Sequence, residues 1–244
     1  MTTYTAPPTQ THLVLNGGDT LNVEVDGLAY GTLINQGAIL NVGSGGTDIG
    51  TTNNGGNEYV FGTSIDMTIN FGGLVFVEAG ATIGTTINAG GTEYDQGGAS
   101  IGTTINSGGS QYVQNGSTAT NATIDGAFAI QYVDGGTSIA TTIKAGGLEW
   151  VRNGGTANNT IIQDGGVEHV FSSGTANTVI FAGSDSLLQL DNPSGLTGTI
   201  IDWNVGDKID FLNTMVTGVN ETGNTLTVTY GDHQTASCDY LRAA

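Results

Sequence analysis

Residues 103–120 read TTINSGGSQYVQNGSTAT, and this stretch decides the fold. A β-prone Thr-Thr-Ile-Asn opens it and a double glycine closes that run. An alternating Ser-Gln-Tyr-Val-Gln follows, and a second glycine-bearing turn leads into Ser-Thr-Ala-Thr. Short β-branched and aromatic runs bounded by glycine are strand–turn–strand signals. Glycine at such corners supplies positive φ without a steric penalty. The stretch lacks the apolar spacing of three and four residues that marks an amphipathic helix.

The same unit recurs along the chain. TINFGG starts at Thr68, TINAGG at Thr86, TINSGG at Thr104 and TIKAGG at Thr142. Looser copies start at Val14, Leu33, Thr51, Thr123 and Thr160, and a partial copy at Thr178. The intervals are 17 to 19 residues, which makes nine consecutive units over residues 14–178. An apolar residue follows each leading Thr, as at Ile69, Ile87, Ile105, Ile124, Ile143 and Ile161. A small or aliphatic residue recurs after the second turn, as at Ile49, Ile65, Ile83, Ile101, Ala119 and Ile139.

One such unit cannot bury its own apolar side, but stacked copies can. With parallel strands about 4.8 Å apart, nine coils form a rod about 40 Å long. Parallel crossovers favour the right hand. The expected fold is therefore all-β, a right-handed parallel β-helix (β-solenoid) of about nine coils with a non-repeating β cap. The expected organisation is an N-terminal arm or cap over 1–13, a β-solenoid repeat domain over 14–183 and a C-terminal β cap over 184–244.

Composition narrows the function. Charged residues make up 11% of the 244, less than half the usual quarter. Only Lys144, Arg152, Lys208 and Arg242 are basic, against 22 acidic residues, for a net charge of −18. A nucleic-acid binder needs a basic footprint, so that class is excluded. Electrostatic docking on anionic membranes is disfavoured for the same reason. No apolar run is long enough to span a bilayer. The opening MTTYTAPPTQTHLVLNGG has neither the basic nor the apolar region of a Sec-type signal. Cys238 is alone and His12, His169 and His233 are far apart, so no zinc set is in view.

Alternation assigns the faces of the middle strand. One row holds Glu58, Val75, Glu93, Gln111, Gln131, Glu149 and Glu168; two residues further on come Val60, Val77, Asp95, Val113, Val133, Val151 and Val170. The opposite row holds Tyr59, Phe76, Tyr94, Tyr112, Tyr132, Trp150 and His169. Burying an unpaired carboxylate costs several kcal/mol. The Glu/Gln row is therefore expected outside as an acidic ladder, with the aromatic row stacked inside. The regular valines argue the opposite way. In that arrangement the aromatics become an exposed stripe of the kind that stacks on sugar rings. His169, at the end of its row, reads as a packed histidine before it reads as a base.

From about Ser184 the period fails. A non-repeating cap over the last coil would blunt an exposed sheet edge. Asp202, Asp207 and Asp210 fall within nine residues, which offers oxygen ligands for Ca²⁺. Their spacing matches neither the EF-hand loop nor the nonapeptide calcium repeat. No other cofactor is called for.

The Thr-Ile-x-x-Gly-Gly unit, with its Gln-Tyr-Val or Glu-Trp-Val strand and second turn, resembles the AIDA-type repeat, most clearly at 104–122 and 142–160. That resemblance implies a β-helical stalk of bacterial autotransporter-like adhesins and surface proteins, with export, adhesion or self-association and, in some members, Ser/Thr glycosylation. IIDWNVGDKIDFL at 200–212 resembles a segment of type I-secreted repeat proteins and of repeat proteins bearing a Hint domain. Within these 244 residues no signal peptide, membrane β-barrel or Hint domain is expected, and there the sequence departs from these patterns.

The function expected is a non-enzymatic extracellular or cell-surface module for adhesion or self-association. Its partner is itself, another surface protein or a glycan, with no nucleic acid and no membrane span. The rival reading is a carbohydrate-active β-helix enzyme or glycan-binding protein. Such enzymes use paired carboxylates in a groove and carry long loops that wall a cleft. The even spacing of the units leaves no room for such a loop. A third reading, ice or mineral binding by a Thr array, lacks a regular T-x-T motif.

Overall fold

The structure, a computed structural model, describes residues 1–231 and 234–241; His233 and Arg242 lie outside the described residues. Each coil contains one longer strand, a glycine corner and two short strands separated by a bend. Ser110–Gln114, Thr118–Thr120 and Thr123–Asp125 make up one such coil. The longer strands stack into a 12-stranded sheet that follows chain order from Thr3–Ala6 to Lys208–Phe211. The short strands build a second, bent sheet. Each strand of the stack pairs in parallel with its counterpart one coil away, as Tyr94 with Tyr112 and Tyr112 with Tyr132. The result is a right-handed parallel β-solenoid of about 11 turns.

The stack runs past both limits read from the sequence. Thr3–Ala6, placed in an arm, pairs with Thr20–Val23. Leu187–Leu190, placed in the cap, continues the ladder from Val167–Val170 to Lys208–Phe211. These coils lack the TINxGG signature, and backbone pairing together with buried Ala6, Leu188 and Leu190 carries the stack there. Two looser copies are also shifted by one residue. Thr68 pairs with Thr52 rather than Thr51, and Thr142 with Ile161 rather than Thr160. Thr51 and Thr160 point inward instead and donate to buried carboxylates.

Alternation along the strands places two apolar rows in the core. Val60, Val77, Val113, Val133, Val151 and Val170 line one wall, fully buried. Ile69, Ile87, Ile105, Ile124, Ile143 and Ile162 line the other. At one outer corner the side-chain amides form a second ladder, in which Asn106 donates to Asn88 (2.8 Å), Asn88 to Asn70 (2.8 Å) and Asn70 to Asn54 (2.7 Å).

Beyond the last coil, Val216–Thr222, Thr225–Tyr230 and Gln234–Leu241 form an antiparallel meander. Its last strand pairs in parallel with Ile200–Ile201. Leu226 and Val228 are buried and join the core cluster with Leu188, Leu190 and Ile200. The free edge of the bent sheet is thereby occupied, which removes a template for edge-to-edge pairing.

The two glycine types at the corners do different work. Gly116 has φ +82° and open space where a Cβ would sit. Gly155 is needed for close approach, because a Cβ there would lie 2.2 Å from the Val133 carbonyl oxygen. Gly116→Ala is expected to cost about 1–2 kcal/mol, the left-handed penalty alone. Gly155→Ala is expected to cost more, since a ladder carbonyl must move. Urea unfolding followed by circular dichroism checks the order; a smaller loss for Gly155→Ala would contradict the close approach.

Candidate functional site

The structure reverses the expected orientation of the middle strand. Glu58, Glu93, Gln111, Gln131, Glu149 and Glu168 are all fully buried, so there is no outer acidic ladder. Tyr59, Phe76, Tyr94, Tyr112, Tyr132, Trp150 and His169 lie on the solvent side, half-buried. A strand has only two faces, and the valines two residues beyond the Glu/Gln row take the inner one. Their neighbours in the same parity go inside with them.

The interior manages this charge with hydrogen bonds and protons. Gln111 Nε2 donates to Glu93 Oε1 (2.8 Å) and Asp95 Oδ2 (3.0 Å). Gln131 Nε2 donates to Gln111 Oε1 (2.7 Å), and Thr141 Oγ1 to Gln131 Oε1 (3.1 Å), so an axial chain crosses several coils. Thr51 and Ser64 donate to Asp48, and Thr160 to Glu149. Other oxygens have no partner among the described residues, including both of Glu58 and both of Glu168. Burial raises every one of these carboxyls. Asp48 is pushed up to about 6 and Glu93 to about 7. Glu58, Asp95 and Glu168 go well above the usual range, because burial is reinforced by a neighbouring carboxylate.

The outer face of the long-strand sheet carries the aromatic ladder. Successive rings from Tyr59 to Tyr132 stack at centroid separations of 5.1, 5.3, 4.9 and 4.4 Å, with interplanar angles of 9–16°. Ring faces therefore cover one another, and the ladder offers edges and hydroxyls to solvent. Trp150 turns to 89° from Tyr132 and ends the stack. The Arg152 guanidinium sits 4.8 Å over the Tyr132 ring and pairs with Asp134 at 3.2 Å. Sugar stacking needs free ring faces, so the stripe does not form a continuous platform of that kind. Beside it runs a polar groove of about 380 Å³ lined by Gln96, Gln114, Asn115 and Asp134. The sequence reading missed it, although these residues share outward parity with the tyrosines or lie next to that row.

His169 packs flat on Phe171 (4.0 Å) with its Nε2 3.0 Å from Asp191 Oδ1, as a packed rim histidine would. Asp202, Asp207 and Asp210 do not converge. Asp207 accepts from the backbone of Ser186 and Asn204, while Asp210 accepts from Gln189. Among the described residues no group of three acidic, His or Cys side chains could hold a metal ion. Burial pushes the Cys238 thiol up to about 11, which disfavours the thiolate form.

The outer face of the bent sheet is different again. Tyr30, Ile49, Ile65, Ile83 and Ile101 pair in register as an apolar row facing solvent. Rows of threonine flank it, including Thr52, Thr68, Thr86 and Thr104. The recurrence of these isoleucines was legible, but not their direction.

No protein-family model and no curated protein matches the sequence. Among solved structures, the chain is similar to the TibC-catalysed hyper-glycosylated fragment 55–350 of TibA. The two are 31% identical with a TM-score of 0.73, over 86% of this chain and 77% of that one.

The raised carboxyls fix the sign of the pH dependence. At acid pH they are protonated in both folded and unfolded chains. As pH rises, the unfolded chain releases its protons first, and stability falls until each folded value is passed. The melting temperature is expected to be highest near pH 4 and to drop toward pH 7, each group contributing about 1.4 kcal/mol per pH unit across its own window. Glu168→Gln is expected to raise the melting temperature at pH 7–8 and leave it unchanged near pH 4. A wild-type melting temperature that climbs from pH 4 to 7 would contradict the buried carboxyls.

Proposed function

Because this chain belongs to the family of β-solenoid repeat adhesins represented by TibA, we propose that it works outside the cell as an adhesion module. It meets its partner along a side of the rod rather than in a cleft. One observation carries this reading. The ladder runs from the first coil to the last with each strand in register, and no inserted loop walls off a substrate cleft within the TINxGG repeats. A long regular surface binds by many weak contacts repeated at each coil, so two such rods gain affinity by multivalency.

The partner we infer is a second copy or another surface protein. The module is non-enzymatic in this reading, and its place is the cell surface or the medium. The resemblance of residues 200–212 to type I-secreted and Hint-associated repeat proteins supports export from the cell. Net charge opposes association, so salt and divalent cations should strengthen it. Sedimentation velocity across protein concentration and salt, with and without Ca²⁺, is expected to reveal reversible, salt-enhanced association. A strict monomer in every condition overturns self-association.

The hyper-glycosylation of the TibA fragment by TibC favours a second reading, in which the outward threonine rows accept sugars. Co-production with TibC is expected to add mass to the intact chain on peptides carrying Thr86 and Thr104. An unchanged mass would rule that enzyme's chemistry out for this chain.

A further inference from the structure

The apolar row on the bent sheet has no cover in the monomer. Ile83 and Ile101 are 38% and 42% exposed, and Tyr30, on the same row, is 48% exposed. A β-branched ladder left in water across consecutive coils is a patch rather than scattered exposure. It is also nearly free of charge. Between the rungs of Tyr30 and Ile139, the outward positions of these short strands and their bend hold Asp66 and Asp125, and Lys144 lies one coil beyond Asp125. Asp125 and Lys144 pair with each other at 2.8 Å. The other surface carboxylates sit at corners or near the chain ends, as Glu24, Glu78, Asp134 and Asp164 do.

We propose that this Thr/Ile face is where a second copy of the chain packs, face to face and side by side. The inference rests on the self-association reading and names the surface that performs it. Two arguments select a second copy as the occupant. The first is charge. A chain of net charge −18 repels its own copy wherever carboxylates oppose each other, and this face is where they are scarce. The second is area. Seven rungs at about 4.8 Å, and five or six residues at about 3.3 Å along the contour of the bend, give at most roughly 34 by 18 Å. That is at most about 600 Å² per copy and about 1,200 Å² for a pair, the size range of weak, reversible interfaces.

The geometry also fits a two-fold axis, the common solution for homodimers. A two-fold centred on the Ile83 rung sets the rung of Ile65 against that of Ile101 in the other copy. Asp66 then faces the second copy's Gly102. That position is bare backbone with φ +69° and open space around the missing Cβ. No carboxylate is set against its own twin. The Ile83 side chains meet at the centre, where apolar contacts count most. The flanking threonines exchange hydrogen bonds at the rim.

Sedimentation velocity on three proteins tests the proposal, each first shown to be folded by its melting curve. They are the wild type, the double variant I83K/I101K, and the double variant Q96K/Q114K. The last makes the same charge change on the groove of the opposite sheet. Wild type is expected to associate reversibly. I83K/I101K is expected to weaken association at least tenfold, although its added positive charge lowers the net repulsion. Q96K/Q114K is expected to associate at least as well as wild type. I83T/I101T, which installs the residue that Thr120 already contributes to this row, is expected to keep the fold and to fall between. Retained association in I83K/I101K overturns the assignment of the face and leaves self-association standing, and loss in Q96K/Q114K then moves it to the opposite sheet. A monomeric wild type at every concentration and salt overturns self-association itself, and this inference with it.

Discussion

Everything in this molecule follows from stacking identical strands in register. Once Val113 lies above Asp95 and below Val133, the parity of each longer strand is common to the whole rod. A one-residue slip in any coil would turn all its side chains to the other face. The choice of face is therefore collective. Eight coils supply valine at the second inward position, from Val23 and Val42 to Val170, and that row outweighs whatever shares its parity. The carboxylates go inside because their neighbours do.

That collective choice explains why the penalty for buried charge did not decide the orientation. The penalty applies to an ionised, unpaired carboxylate. In this interior a carboxyl can keep its proton, or accept from Gln111, Thr51, Ser64 or Thr160. Neither remedy requires a cation, and none of the described basic residues lies there. Lys144 and Arg152 serve Asp125 and Asp134 outside. A neutral acid in a core costs far less than a charge does. The reading from sequence priced the wrong protonation state, and so put the aromatic row in the core.

The fold itself was largely legible. Double glycines at a period near 18 and alternating segments between them leave little but a solenoid. What the period could not reach was the first coil and the last, where Thr3–Ala6 and Lys208–Phe211 join by backbone pairing without repeating side chains. It also misplaced single residues where a threonine pair offered two registers, as at Thr51 and Thr52. Function was less legible, since outward residues obey no packing rule. Asp202, Asp207 and Asp210 are close in sequence, but the local turn uses Asp207 as a backbone acceptor, so proximity along the chain gave no site. The outward isoleucines were visible as a recurrence. Their meaning depended on a direction that only the three-dimensional register supplies.

The rod divides its exterior by chemistry. Rings on the long-strand sheet satisfy one another face to face and leave hydroxyl edges beside a polar groove. Charges collect at the corners, where they are far from a side-by-side contact. What is left is the bent sheet, with threonine and isoleucine repeating at each rung and few charges. Along the bent sheet each rung offers only a small contact, so a strong interaction there must come from repeating a weak one in register. The same periodicity that folds the chain can supply that repetition, because a second rod carries the same rungs at the same spacing. Lower pH acts on the interior half of this design, where it protonates the buried acids that burden the fold.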